Sequence, residues 1–185
     1  MFQYIKSDLY RYYGKVSILL FLKCYFLNRG FNYTVWLRLA SSQGVLSKFA
    51  RLILARKTFK TGIDINYKAK IGYGLYIGHG GPLIINGSAT IGNNCNFSQF
   101  TTIGSLSNRA AIIEDNVYIG PQVCILEHIK IGEGAMIGAG SIVTKNIEKN
   151  KVVVGNPAKI IKDVEINVIN NKWIKCLRLN PLSKL

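Results

Sequence analysis

The stretch that decides the fold is IIEDNVYIGPQVCILEHIKIGEGAMIGAGSIV, residues 112–143. Within it Ile113, Ile119, Ile125, Ile131, Ile137 and Val143 recur every six residues. An amphipathic helix would space apolar residues by three and four, and an ordinary strand would alternate by two with no longer beat. A beat of six describes a short strand with one inward aliphatic side chain, then a corner, repeated. Such a unit cannot bury its apolar face alone, so its copies stack into a solenoid.

The beat extends toward the amino terminus in two further series. One is Ile65, Ile71, Ile77 and Leu83; the other is Ile85, Ile91, Phe97 and Ile103. Glycine often follows the aliphatic residue, as at Gly72, Gly78, Gly92, Gly104, Gly120, Gly132 and Gly138. These glycines are expected to supply the positive φ of the corners. The position four after the aliphatic is small or β-branched, as at Ala69, Ala89, Cys95, Thr101, Val117 and Ala135.

The rhythm slips twice. Ile77 to Ile85 is eight residues and Ile103 to Ile113 is ten. Extra residues in a solenoid become loops on one side, where binding sites lie. The first slip adjoins His79, one of two histidines; the second is the loop Ser105–Ala110. His79 follows the inward Ile77 by two and so should face outward. An imidazole suits proton transfer near neutral pH. His128, at a corner in ILEHIKIG, reads as a surface residue.

Three stretches, GIDINYKAKIGYGLYIGHGG, ATIGNNCNFSQFTTIG and IKIGEGAMIGAGSIVTKNI, together with VVVGNPAKII, resemble the hexapeptide-repeat acyltransferases over residues 61–162. The serine acetyltransferase-like branch is the nearest match. The resemblance implies a mainly β fold: a left-handed parallel β-helix with three hexads per coil. A basic α-helical segment, 1–60, precedes it, and a short basic helix or tail, 163–185, follows.

The same resemblance implies roles. His79 matches the general base that takes the proton of the acceptor hydroxyl. Asp64 matches the aspartate that orients it, and lies fifteen residues earlier, against eighteen for a full coil. Acetyl-CoA is implied as cosubstrate, lying between β-helices of a homotrimer along Gly104, Ser105, Gly120, Pro121, Gly138, Ala139 and Ser141. Lys145 and Lys159 would meet its phosphates. No metal is implied. Gly78, Asn108 and Arg109 fall at acceptor-binding positions.

Two departures bear on the acceptor. Serine-specific members carry aspartate where this chain has Gly78, and histidine where it has Ala110. A site stripped of its hydrogen-bonding groups should discriminate poorly for a small charged amino acid. The expected acceptor is therefore a carbohydrate, a sugar hydroxyl of a surface or capsular polysaccharide precursor. The alternatives are serine O-acetylation in cysteine synthesis and a non-catalytic scaffold.

The net charge is +15, and it is concentrated at the ends. Residues 1–60 hold eleven Lys or Arg against Asp8 alone, while residues 61–144 are near neutral. The first sixty residues read as two or three helices. In VLSKFARLILARKTF, Leu46, Phe49, Leu52 and Ile53 share a face, fit either for packing or for an anionic membrane surface. The tail NNKWIKCLRLNPLSKL is similar. There is no helix-turn-helix, zinc spacing or stacking motif, so nucleic acid is not an expected partner. Cys24, Cys95, Cys124 and Cys176 show no CxxC and read as reduced thiols. No secretory signal is legible, and the expected location is cytoplasmic, with peripheral contact at the inner membrane face as a second expectation.

Overall fold

The computed structural model describes residues 1–166 and 168–174. The beat of six becomes a three-faced parallel β-helix. The first face stacks β1 (Ile63–Ile65), β4 (Leu83–Ile85), β7 (Thr102–Ile103), β10 (Cys124–Ile125) and β13 (Ile142–Val143). The second stacks β2 (Lys70–Ile71), β5 (Thr90–Ile91), β8 (Ile112–Ile113) and β11 (Lys130–Ile131). The third stacks β3 (Tyr76–Ile77), β6 (Asn96–Phe97), β9 (Tyr118–Ile119), β12 (Met136–Ile137) and β14 (Lys151–Val154). An antiparallel strand, β15 (Lys159–Asp163), closes the third face.

Register explains the two slips. Ile65 pairs with Ile85, Ile85 with Ile103, Ile103 with Ile125 and Ile125 with Val143. The coils therefore advance by 20, 18, 22 and 18 residues. The first excess lies between β3 and β4, at the edge joining the third face to the first. The second lies between β7 and β8, at the edge joining the first face to the second. The inward aliphatics Ile77, Ile85, Ile103, Ile119, Ile131, Ile137 and Val143 are buried and form one continuous core.

The glycine expectation is corrected. None of Gly72, Gly78, Gly92, Gly104, Gly120, Gly132 and Gly138 has positive φ. The left-handed residues come two positions later in the hexad: Gly74, Asn94, Asn116, Gln122, His128, Gly134 and Gly140. The glycine after the aliphatic serves close approach instead. A Cβ on Gly120 would sit 2.9 Å from the Ile137 carbonyl oxygen, and one on Gly132 would sit 2.5 Å from the Lys149 nitrogen. Coils stacked at strand spacing leave no room there for a side chain. At Gly104 the position is open, and at Gly78 the nearest atom is 3.6 Å away. These are the glycines at which the breaks begin.

Residues 1–60 form four helices, not two or three: α1 (Phe2–Tyr13), α2 (Ile18–Leu27), α3 (Arg29–Ala40) and α4 (Val45–Thr61), the last ending at Thr61. Gly14 and Gly62, both left-handed, end α1 and α4, while Ser17 and Asn28 cap α2 and α3. α3 packs against α1, α2, α4 and β3. A Cβ on Gly30 would collide with the backbone of Ile77, so only glycine lets α3 lie this close to the first coil.

Among the described residues, the apolar face expected on α4 does not pack within this chain. The buried residues of the helix are Ser47, Ala50 and Leu54, whereas Leu46, Phe49 and Leu52 are exposed. Small side chains at 47 and 50 let α4 approach α3. No helix among the described residues is long and apolar enough to cross a membrane.

The described part of the carboxy-terminal segment returns to α1. Arg11 Nε donates to the Asn170 carbonyl at 3.1 Å, the Trp173 amide donates to Asn94 Oδ1 at 2.8 Å, and the Trp173 ring meets Tyr10 edge-on. The remainder of the expected tail helix, with Cys176, lies outside the described residues. Cys24 and Cys95 are buried and Cys124 is partly buried, all three as free thiols. Burial pushes the Cys95 thiol up to about 12, which makes it a poor nucleophile.

Candidate functional site

The edge between the third and first faces carries a column of corners. His79 stands at its head, on the first break. Below it come Gly120 and Pro121, then Gly138 and Ala139. Backbone bonds join successive corners: Gln122 N–H to the Gln99 carbonyl at 3.0 Å, and Gly140 N–H to the Pro121 carbonyl at 2.9 Å. Ser141 is buried beside this edge; its hydroxyl donates to the Gly138 carbonyl at 2.7 Å and accepts from Gly155 N–H at 3.2 Å. Ser141 is thus spent on holding the corner.

His79 is exposed and has φ 59°, and Gly80 after it has φ 57°. Two left-handed residues in succession turn the chain out of the lattice and present the imidazole to solvent. A Cβ on Gly80 would lie 2.6 Å from Arg29 Cβ. The break is therefore braced by the start of α3 and is not a free loop. Gly78 is buried behind it and offers no side chain.

Asp64 lies exposed on the first face, in register with Ile84. Among the described residues no hydrogen bond or ion pair joins it to His79. Its neighbour Ile65 donates its N–H to the Tyr33 hydroxyl at 3.1 Å, so the strand is tied to α3.

Gly104, Ser105, Asn108 and Arg109 occupy the other break, at the edge between the first and second faces. Lys145, after β13, belongs to that same edge and is exposed; Lys159 lies exposed in β15. Apart from Asp64 on the first face and Lys159 in β15, the candidate residues thus divide between two edges of one prism. Within one chain the first face separates Arg109 from His79.

Sequence reasoning missed what shapes the Ser105–Ala110 loop. Glu127 Oε2 accepts from Ser105 Oγ at 2.8 Å, Leu106 N–H at 3.0 Å, Ser107 N–H at 2.9 Å and Ser107 Oγ at 2.7 Å. Ser105 Oγ also accepts from the Arg109 N–H at 2.9 Å, which passes the anchor on to the arginine. His128 Nε2 lies 2.9 Å from Ser107 Oγ. Because the Ser107 proton points to Glu127, His128 Nε2 is the donor. The only signal in sequence was an acid and a histidine side by side at a corner, 127–128, one coil below the loop.

The bonds from Ser107 and then Ser105 hold the Glu127 carboxyl at about 2, below its ordinary 4.5. A depressed carboxyl contributes order that is fully present above pH 4.5 and is lost as pH falls toward 2. Glu127→Gln removes the charge from four converging donors. Amide exchange at Leu106 and Ser107 is expected to rise about tenfold or more in this variant, with the β-helix core unchanged. Unchanged exchange at both amides would show that the loop holds itself.

No group of three His, Cys, Asp or Glu that could hold a metal occurs among the described residues.

The bacterial transferase hexapeptide family (six repeats) matches residues 110–145. Serine acetyltransferase 2 of Arabidopsis thaliana is 40% identical over 108 residues, 56% of this chain and 33% of that protein. This chain therefore spans about a third of that relative's length. The crystal structure of a serine acetyltransferase from Brucella abortus strain S19 superposes with a TM-score of 0.74 at 30% identity, covering 86% of this chain and 67% of that one. A Brucella abortus serine acetyltransferase in complex with coenzyme A gives a TM-score of 0.74 at 29% identity, covering 86% and 67%.

Proposed function

Because the chain belongs to the hexapeptide-repeat transferases, close to the serine acetyltransferases, we propose that it transfers acetyl from acetyl-CoA to the hydroxyl of serine. The expectation of a sugar hydroxyl in a polysaccharide precursor is corrected here: the relatives and solved structures reported above are named for serine. That expectation leaned on two missing side chains, at Gly78 and Ala110. Absent contacts tell which groups do not grip the acceptor, and leave open which groups do.

The reading is carried by one observation: His79 stands exposed at φ 59° on an insertion braced by Arg29, at the head of the edge between the third and first faces. Its imidazole takes the proton as the serine oxygen attacks the thioester carbonyl, and returns it to the departing CoA sulfur. Along the same edge Ala139 is exposed and Pro121 and Gly138 are half-buried, and these corners receive the pantetheine arm, with Gly120 buried behind them. Lys145 and Lys159 are exposed cations for the phosphates. Asp64 acts as the orienting carboxylate once substrate draws the two side chains together.

The division of candidate residues over two edges supports a trimer as the working form. A three-fold arrangement sets the first-to-second edge of one copy against the third-to-first edge of the next. Arg109 of one chain then serves His79 of another.

The test is CoA release from acetyl-CoA with L-serine, alongside calorimetric titration of CoA. Formation of O-acetylserine is the expected result. CoA binding without serine-dependent release would overturn serine as acceptor, and absence of CoA binding would overturn the enzyme.

A further inference from the structure

A cleft of about 330 Å³ lies between the end of α2, the start of α3 and the end of α4, and its Arg29 abuts the insertion that carries His79. Arg29, Lys57 and Lys60 line it, with Asn28, Asn32 and Tyr25, and no carboxylate does. We propose that this cleft is an oxyanion subsite, holding the carboxylate or phosphate group of the acceptor while its hydroxyl faces His79.

Three observations converge on it. First, its cations are unspent. The side chains of Arg29 and Lys60 make no hydrogen bond or ion pair with any described residue, and the Lys57 ammonium donates only to Asn32 Oδ1. Burial, and then the charge of Lys60, push the Lys57 ammonium below its ordinary value. An anion between the two lysines relieves both effects. Second, the amino-terminal end of α3 opens here, with Asn28 Oδ1 capping Phe31 N–H at 2.9 Å. The partial positive charge of that helix end adds to the three cations.

Third, the cleft touches both candidate catalytic segments. Arg29 abuts Gly80, the residue after His79. Tyr33, also in the lining, accepts from the N–H of Ile65, the residue after Asp64. Arg29 thus joins the cleft to the insertion that carries the imidazole. Recognition of the acceptor's charge then belongs to the helical layer, where this chain is most basic, and not only to the loop that carries Arg109.

The role in acetyl transfer rests on the reading above; the existence of the site does not. Inorganic phosphate and, separately, acetate are titrated calorimetrically into the full chain at low ionic strength, for the wild type, Arg29→Gln/Lys60→Gln and Arg29→Lys/Lys60→Arg. At least one anion is expected to bind the wild type and to weaken about tenfold or more in the Gln pair, while the charge-preserving pair retains it. Which anion binds tells phosphate from carboxylate. CoA affinity is expected to be the same in all three proteins. No binding of either anion by the wild type, or equal affinity in the Gln pair, overturns the proposal. If anion binding follows the variants but L-serine is not acetylated, the oxyanion site stands and serine as acceptor fails.

Discussion

Replacing His79 with asparagine is expected to lower the turnover of acetyl transfer by about 10²- to 10⁴-fold, with little change in CoA affinity. Asparagine is the informative substitution because of the backbone. At φ 59° position 79 is left-handed, a region that asparagine tolerates well and alanine does not. Asn94, Asn108, Asn116 and Asn150 already occupy that region elsewhere in this chain. His79→Asn therefore keeps the insertion folded against Arg29 and removes only the basic nitrogen. His79→Ala should lose the same activity together with a little stability, about 1 kcal/mol. The split between the two variants separates chemistry from folding. Wild-type turnover in His79→Asn, measured as CoA release, would remove the imidazole from the mechanism.

The largest structural effect is expected at Asp8. Its carboxylate accepts two bonds from Arg38, Nε to Oδ2 at 2.9 Å and Nη2 to Oδ1 at 3.0 Å, and a third from Leu75 N–H at 2.8 Å. Arg38 in turn donates to the carbonyls of Ile71, at 2.8 Å, and Gly72, at 2.6 Å. Both side chains are buried. The pair thus stitches α1 and α3 to the turn between β2 and β3, satisfying three backbone groups of the first coil. Asp8→Ala leaves a buried guanidinium without its counter-charge, a loss of about 3–5 kcal/mol.

Burial pushes the Asp8 carboxyl up against the opposing pull of Arg38, so desolvation outweighs the attraction. A raised carboxyl means that this group's contribution to stability declines as pH rises through its folded value. The double variant Asp8→Leu/Arg38→Met removes the desolvated charges, but it also strips partners from Leu75, Ile71 and Gly72. It should therefore recover only part of the loss. Denaturant unfolding of the single and double variants measures this. An Asp8→Ala protein within about 1 kcal/mol of wild type would show that the helical layer does not depend on the pair.

The β-helix was legible because its signal is local. Each hexad states its own inward residue, and fourteen positions repeat it. The slips at 77–85 and 103–113 were legible for the same reason. The role of the glycines was not. A glycine before a corner looks alike whether it serves a positive φ or a close neighbour, and only the stacked coil shows the crowding at Gly120 and Gly132. On α4 the apolar stripe of Leu46, Phe49 and Leu52 was visible, but the buried stripe proved to be Ser47, Ala50 and Leu54. Periodicity ranks faces by hydrophobicity, whereas helix packing against α3 rewards small side chains.

Of the candidate site, His79 and its insertion were readable, and the loop containing Arg109 was readable as a loop. The clamp at Glu127 was not, because its partners stand some twenty residues away at the next corner of the stack. By itself the sequence determined a six-residue beat and hence a solenoid of stacked faces, with its two interruptions and its basic flanks, since these depend on residues near one another in the chain. Only the tertiary structure decided which edge each interruption occupies, which acid holds which loop, and that Arg29, Lys57 and Lys60 gather in one cleft whose Arg29 abuts Gly80. Those outcomes depend on where separate segments dock, and docking is set by shape and by buried charge that no local pattern records.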